Sequence, residues 1–119
     1  MPNLASRSRG RWGEARAAAH FRSLGFEVVD RNWRSPIRSL PGELALILLR
    51  DDLLVFCEVK ARQSRGYGGA AHAVDAEKQA RIRALAETWL MDNWLGAVDV
   101  RFDVVAIDGV RLTHLESAF

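Results

Sequence analysis

Two apolar segments joined by a two-residue polar turn constrain this chain more than any other feature. Glu43–Arg50 and Leu53–Arg62 are rich in leucine and valine and are separated only by Asp51-Asp52. Segments of this length and composition, joined by a short polar turn, are typical of a β-hairpin. The run from Leu53 to Cys57 is apolar without interruption, which indicates a strand buried on both faces. The sequence therefore predicts a sheet organised around this hairpin.

Charged side chains follow the apolar run of the second strand. Glu58 and Lys60 are two residues apart, so they project from the same face of a strand. A tight turn at Asp51-Asp52 sets position 45 opposite Glu58 and Glu43 opposite Lys60, with directly opposed Cβ atoms about 4.5–5.5 Å apart. A three-residue turn would send Glu43 to the other face. Because burial disfavours the charged forms of an acid and a lysine, we interpret the pair as part of a functional site.

The bulk composition is that of a soluble globular protein. At 119 residues, with 49% hydrophobic and 27% charged residues, the chain is expected to form one domain, residues 1–119, with a single core. The single cysteine, Cys57, excludes an internal disulfide. The longest aliphatic run, Leu44–Leu49, is too short to span a membrane, and the N-terminus has no apolar signal segment. We therefore expect a cytoplasmic protein without a membrane partner.

The charge is distributed unevenly along the chain. Residues 1–65 hold 12 Lys and Arg against 7 Asp and Glu, whereas residues 66–119 hold 5 against 8. Fifteen of the 17 basic residues are arginine, whose forked guanidinium suits phosphate oxygens. Two explanations stay open at this point: contacts with a nucleic-acid backbone, or a genome that favours arginine codons.

The segments around the hairpin alternate between helical and extended patterns. A helix is predicted from about Arg9 to Leu24, preceded by a flexible basic arm at residues 1–8. A second helix is predicted from Ala76 to about Asn93, with Asp75 as its N-cap. The glycine-rich stretch Gln63–His72 is predicted to form a surface loop. The remaining strands are predicted at Phe26–Trp33, Asp99–Ile107 and, as an edge strand, Val110–Leu115. This gives the order αβββαβ plus one extra strand.

Each predicted helix begins its apolar stripe with a charged residue. In the first helix, Ala17, Ala18, Phe21 and Leu24 recur at helical spacing, and one turn earlier on the same stripe stands Glu14. In the second helix, Lys78 precedes Ile82 in the same way. An acid in a first helical turn also suits the helix dipole without any further role. Both interpretations of Glu14 therefore stay open.

This combination of charges favours phosphate chemistry. Clustered carboxylates bind hard divalent cations such as magnesium, and a nearby lysine can stabilise charge on a phosphate. Basic residues surround the predicted site and match the electrostatic footprint of a nucleic-acid backbone: Arg11, Arg62, Arg65, Lys78 and Arg81. The three histidines have no zinc-ligand spacing, and neither a P-loop nor a dinucleotide-binding glycine motif is present.

The motifs, taken in order, resemble those of the bacterial YraN-like family. The resemblance covers about Gly10 to Ile107 and is carried by Gly13-Glu14 before an alanine-rich helix, Gly42-Glu43-Leu44-x-Leu46-Ile47, Phe56-x-Glu58-Val59-Lys60-x-Arg62, Lys78 before Arg81-Ile82, and Arg101-Phe102-Asp103-Val104-Val105. That family is similar to archaeal-type Holliday-junction resolvases of the restriction-endonuclease-like PD-(D/E)xK superfamily.

The resemblance implies a fold, a reaction and a set of site residues. The fold is a restriction-endonuclease-like αβββαβ core: a mixed central sheet flanked by two helices, here with an extra C-terminal edge strand. The reaction is cleavage of branched or otherwise structured DNA with Mg²⁺ or Mn²⁺, often by a homodimer. Residue by residue, Glu14 matches the helix carboxylate, Glu58 the metal-binding strand carboxylate, Lys60 the catalytic lysine, and Lys78 a basic residue near the site.

One position departs from the family pattern. The resemblance places an aspartate that is the central metal ligand at position 45, where this chain has Ala45. Glu43 lies two residues away on the same face, about 6–7 Å along the strand, and is the candidate replacement ligand. We therefore expect a DNA-associated protein with impaired metal-dependent cleavage. The alternative is a non-catalytic module that binds nucleic acid or protein, for which no cofactor is expected.

Overall fold

The structure, a computed structural model, describes residues 4–62, 74–93 and 95–119. Two helices and five strands are present in these ranges: α1 (Leu4–Ser23), β1 (Glu27–Trp33), β2 (Leu44–Arg50), β3 (Leu53–Arg62), α2 (Ala76–Asp92), β4 (Asp99–Asp108) and β5 (Arg111–Leu115). Neither helix is long and apolar enough to cross a membrane. The loop predicted at residues 63–72, including Arg65, lies outside the described ranges.

The five strands form one mixed sheet in the spatial order β1-β2-β3-β4-β5. β1, β2 and β3 pair antiparallel, β4 runs parallel to β3, and β5 returns antiparallel as an edge strand. The chain between β3 and β4 contains α2, as a parallel connection requires. This arrangement confirms the α/β fold class and is consistent with a restriction-endonuclease-like core.

The two helices belong to two separate apolar clusters. On the α1 face, Ala17, Ala18 and Phe21 cluster with alternate residues of the hairpin, among them Leu46, Leu48, Val55 and Cys57. On the α2 face, Ile82, Leu85 and Trp89 cluster with Ile47, Leu54 and Phe56. Because alternate strand residues point to opposite faces, both faces of the hairpin are buried. The prediction of a doubly buried central strand is thus confirmed.

The turn of the hairpin has the predicted length. Arg50 pairs with Leu53, so Asp51 and Asp52 are the only residues between the strands. Asp51 has a φ of 54°, a left-handed conformation that is common in two-residue hairpin turns. The pairing continues without a break to Leu46 opposite Cys57. The predicted register of the two strands is therefore confirmed over this length.

The first helix begins earlier than the sequence pattern indicated. α1 starts at Leu4 rather than near Arg9, so residues 4–8 are helical, where the sequence pattern predicted an arm at residues 1–8 that precedes the helix. No proline or other strong helix breaker occurs between Leu4 and Arg9, and arginine is a good helix former. At the other end, Leu24 is 40% exposed and does not extend the buried stripe, because α1 ends at Ser23.

Gly13 allows α1 to approach β3 closely. A Cβ atom at this position would lie 2.8 Å from Cβ of Ala61 and 3.6 Å from Cγ1 of Val59. Carbon atoms this close clash, so only glycine fits without a shift of the helix. The contact places the neighbouring residue, Glu14, at the end of the sheet where β3 finishes.

Candidate functional site

The candidate site lies at the end of the sheet where β2 begins and β3 finishes. The observed pairing of β2 with β3 ends at Leu46 opposite Cys57, and a continuation of this register by one residue would set Ala45 opposite Glu58. Ala45 is buried, with 7% of its surface exposed, and its methyl group supplies no oxygen. Lys60, two residues beyond Glu58 on the same strand, is half-buried. By strand alternation both charged residues belong to the α2 face, together with Phe56.

Glu58 is paired with a lysine of α2. Nζ of Lys78 lies 2.9 Å from Oε1 of Glu58, and only 12% of the Glu58 side chain is exposed. Lys78 is positioned by the first turn of α2, where Oδ1 of Asp75 accepts a hydrogen bond from the Lys78 backbone N–H at 2.9 Å. Asp75 is thus the predicted N-cap. Lys78, the charged residue at the start of the apolar stripe of α2, therefore places its ammonium group at the candidate site.

Glu14 and Glu43 meet through an asparagine that the sequence analysis did not single out. Nδ2 of Asn32 donates to both carboxylate oxygens of Glu14, at 3.0 and 3.1 Å, and to Oε1 of Glu43 at 3.0 Å. Two acids from α1 and from the start of β2 are therefore held together by one amide. Glu14 therefore lies beside Glu43 at this end of the sheet, and its predicted functional role stays a prediction.

The backbone of Asn32 explains how its side chain reaches both acids. Asn32 has a φ of 50°, a left-handed conformation that asparagine tolerates better than most residues. It lies in β1, whose pairing with β2 is irregular between Val28 and Asp30. An Asn before an extended loop is the sequence signal that could have identified it, because Asn commonly marks positions with positive φ.

Basic residues close to these acids are partly exposed. Nη2 of Arg34 lies 3.1 Å from Oε2 of Glu43, and 73% of the Arg34 side chain is exposed. Arg81 is exposed and approaches the backbone next to Glu43: a Cβ atom at Gly42, whose φ is 105°, would lie 3.1 Å from Cδ of Arg81. Arg11 is exposed on α1. The structure does not describe the side chain of Arg62 or any part of Arg65.

These carboxylates do not form a ready metal site. Among the residues described, no three His, Cys, Asp or Glu side chains are grouped so that they could hold a metal ion. Glu58 pairs with Lys78, while Glu14 and Glu43 share the Asn32 side-chain amide as a donor. The donors in this arrangement therefore do not fit a divalent cation. The metal-ligand roles assigned to Glu14, Glu43 and Glu58 stay a prediction.

A second charged cluster, on the α1 face, involves residues that the sequence analysis did not connect. Asp103 of β4 is completely buried and accepts two hydrogen bonds from Arg101, both at 2.8 Å, one from the Ser117 backbone N–H at 3.1 Å, and one from Nε2 of His114 at 2.7 Å. Nδ1 of His114 lies 3.0 Å from Nε2 of His20 in α1. A chain of side chains thus joins β4, β5 and α1.

The environment of the second cluster shifts three pKa values. The hydrogen bond to Asp103 raises the pKa of Arg101. Burial, followed by the proximity of His114, lowers the pKa of His20 below its usual 6.5. Burial raises the pKa of the Cys57 thiol well above its usual range, and the nearby Asp103 adds to this effect. Cys57 is therefore a neutral core residue at physiological pH, as predicted.

Comparison with known proteins places this architecture in a family. The model of the uncharacterised protein family UPF0102 matches residues 13–107. A UPF0102 protein of Frankia casuarinae is 44% identical over 115 residues, which cover 92% of this chain and 94% of that protein. A relative from Rhodococcus jostii is 51% identical over the same shares of both chains. A relative from an Acidovorax species is 43% identical over 119 residues, 99% of this chain and 89% of its own.

The match spans the residues that build the candidate site. The family model begins at Gly13, before Glu14, and ends at Ile107, near the end of β4. The identity to full-length relatives is well above the level at which a shared fold alone is inferred. The chain therefore belongs to the UPF0102, or YraN-like, family.

Proposed function

We propose that this chain is a DNA-associated protein whose metal-dependent cleavage of structured DNA is weak or absent. The observation that carries the proposal is the register of the hairpin, which is paired as far as Leu46 opposite Cys57 and, continued by one residue, puts Ala45 opposite Glu58. By the resemblance to nucleases of the same fold, position 45 supplies the central carboxylate ligand of the metal. A hard cation bound with one carboxylate fewer loses both an oxygen ligand and a unit of compensating charge.

Glu43 is a poor substitute for the missing ligand in this arrangement. Its Oε1 accepts a hydrogen bond from Asn32, and its Oε2 lies 3.1 Å from the Arg34 guanidinium. Both oxygens therefore already have cationic or N–H partners. A divalent cation would have to displace both partners before Glu43 could bind it, which supports the proposal of weak cleavage.

DNA association is supported by the basic side chains around the same end of the sheet. Arg11, Arg34 and Arg81 are exposed, and residues 1–65 carry an excess of five positive charges. Arginine guanidinium groups offer forked hydrogen bonds to phosphate oxygens. We propose that this surface binds branched or otherwise structured DNA through its backbone, which requires no metal.

The binding can be tested with fluorescently labelled duplex, four-way-junction and single-stranded DNA, titrated over a range of salt concentrations with either EDTA or magnesium. We expect affinity that falls steeply with salt and shows no gain when magnesium replaces EDTA, since magnesium acts here only as a competing counterion of the DNA. Arg11→Ala should reduce the slope of log affinity against log salt by about one. Arg22→Ala, which removes an exposed arginine from the last turn of the same helix, is the matched control.

Two outcomes would contradict the proposal. The absence of measurable affinity for all three DNA forms at low salt would favour a protein-binding module, in keeping with the acidic residues 66–119. A large gain in affinity with magnesium, lost in Glu58→Gln, would show that the site binds a metal despite Ala45.

A further inference from the structure

Two ion pairs join basic residues near the site to the carboxylates of the hairpin. Nζ of Lys78 lies 2.9 Å from Oε1 of Glu58, and Nη2 of Arg34 lies 3.1 Å from Oε2 of Glu43. Glu43 immediately precedes β2, and Glu58 lies in the last half of β3. Since β2 and β3 are antiparallel, both pairs lie at the same end of the sheet.

The two pairs differ in how strongly solvent screens them. The exposed fractions of the side chains are 28% for Lys78 and 12% for Glu58, against 73% for Arg34 and 30% for Glu43. Ion pairs that are largely exposed contribute little, because water and salt screen them, whereas partly buried pairs are stronger. The Lys78–Glu58 pair is therefore the harder of the two to separate.

A bound DNA backbone would offer these cations the same kind of acceptor that the glutamates offer now. Carboxylate and phosphate oxygens both accept charge-assisted hydrogen bonds from ammonium and guanidinium groups. A cation that leaves a carboxylate for a phosphate stays paired, so the cation itself is not left as an isolated charge. The carboxylate that it leaves opposes the binding, because it lies close to the incoming phosphate.

We propose that Lys78 and Arg34 are phosphate contacts for which Glu58 and Glu43 compete with DNA. This inference rests on the proposed DNA association and adds to it a role for the two glutamates that pair with these cations. The two glutamates lower the affinity for DNA. They stay paired with Lys78 and Arg34 until phosphate groups of a nucleic-acid backbone take their place. Glu58 and Glu43, predicted from sequence as metal ligands, thus act in this chain as internal competitors of phosphate.

The direction in which one substitution changes the affinity for DNA distinguishes this role from metal binding. Glu58→Gln keeps the shape of the side chain and removes its negative charge. If Glu58 competes for Lys78, the substitution raises DNA affinity in the absence of any divalent cation. If Glu58 is a metal ligand, the substitution instead lowers the affinity or activity measured with magnesium and has little effect without it.

A double-mutant cycle tests the competition directly. The affinity of labelled duplex and four-way-junction DNA is measured in EDTA at one low salt concentration for the unaltered chain, Glu58→Gln, Lys78→Met and the double variant. We expect Glu58→Gln to tighten binding about fivefold. Lys78→Met should weaken binding, and Glu58→Gln should have a much smaller effect in that background, because the released cation is absent.

Matched variants control for overall charge and for folding. Glu27→Gln removes an exposed carboxylate at the start of β1, away from the paired cations, and should change the affinity little. Thermal unfolding of each variant checks the fold. If Lys78→Met does not fold, Glu43→Gln and Arg34→Met provide a second cycle with the same signs and smaller effects, because that pair is more exposed.

The outcomes distinguish this inference from the proposed function. If the unaltered chain binds none of the DNA at low salt, both are overturned. If it binds DNA but Glu58→Gln leaves the affinity unchanged or lowers it, the competition alone is overturned. An equal gain in the presence and absence of Lys78 also overturns it, because the gain is then a general effect of charge.

Discussion

The two charged clusters of this protein differ in how completely their acids are paired. Asp103, on the α1 face, is fully buried, and each of its oxygens receives two hydrogen bonds, from Arg101, His114 and the Ser117 backbone. Glu58, on the α2 face, retains partial exposure beside Lys78. A buried carboxylate with every acceptor site occupied has no capacity for a ligand, so the Asp103 cluster stabilises the fold.

The candidate site shows the opposite pattern. Its acids come from α1, from the segment before β2 and from β3, and their partners Asn32, Arg34 and Lys78 are all partly exposed. Interactions that solvent can reach are weaker and exchange more readily. Asp103, which is fully buried and fully hydrogen-bonded, therefore stabilises the sheet. The glutamates at the open end of the sheet have partly exposed partners, and these are the acids that can exchange one partner for another.

The largest expected effect comes from breaking the buried cluster. Asp103→Asn leaves Arg101 and His114 facing an amide instead of a carboxylate, and removing one partner of a buried pair costs about 3 kcal/mol or more of unfolding free energy. Glu58→Gln should cost less than about 1 kcal/mol, because its pair is nearer solvent. Urea unfolding of both variants measures the difference. Equal losses would contradict the contrast between the two clusters.

Packing under the candidate site is expected to have the next largest effect. Gly13→Ala places a methyl group 2.8 Å from Ala61 Cβ, and overpacking of this kind costs about 1–3 kcal/mol, partly offset by the higher helix propensity of alanine. Gly10→Ala is the matched control, because nothing lies within 4 Å of its Cβ position. Thermal unfolding should show a loss for Gly13→Ala and no loss for Gly10→Ala. A loss of the same size in both would show that α1 does not depend on this contact.

A smaller effect on stability is expected at Asn32, where two variants distinguish the cost of the backbone conformation from the loss of the side-chain hydrogen bonds. Asn32→Ala removes the hydrogen bonds to Glu14 and Glu43 and also places alanine at a φ of 50°. Asn32→Gly removes the same bonds without that conformational cost. We expect Asn32→Ala to be less stable than Asn32→Gly by about 1 kcal/mol. If both variants instead match the unaltered protein in denaturant unfolding, the amide does not hold the two acids together.

The smallest expected effect is a pH dependence at the edge of the buried cluster. Because the pKa of His20 is lowered in the folded protein, the unfolded chain binds more protons as the pH falls through 6.5. The contribution of His20 to stability is therefore present above that pH and is lost below it. Unfolding of the unaltered protein and of His20→Gln, compared at about pH 7.5 and about pH 5.5, should show a steeper loss in the unaltered protein. An identical loss in both would contradict the role of His20.

The sequence was sufficient to predict the parts of the fold that local patterns determine. The turn at Asp51-Asp52 fixed the register of β2 and β3, because a two-residue connection leaves one arrangement of the paired strands. The Asp75 cap located the start of α2 and so the position of Lys78. The same hairpin turn predicts that Ala45 lies opposite Glu58, one residue beyond the observed pairing of Leu46 with Cys57.

Interactions between distant parts of the chain could not be predicted in this way. His20 and His114 are 94 residues apart and meet only because α1 packs beside β5. Asn32 bridges Glu14 and Glu43 because of an irregular strand pairing and a positive φ, neither of which leaves a periodic pattern. The early start of α1 was missed because residues 4–8 lack an apolar stripe, which is the signal that indicates an amphipathic helix.

The most direct test of the central claim compares cleavage of labelled four-way-junction and flap DNA by the unaltered protein and by Ala45→Asp, with magnesium or manganese present. We expect little or no cleavage by the unaltered protein and a gain in Ala45→Asp that disappears when Lys60→Ala is added. Robust cleavage by the unaltered protein that depends on Lys60 would contradict the claim that Ala45 impairs the site.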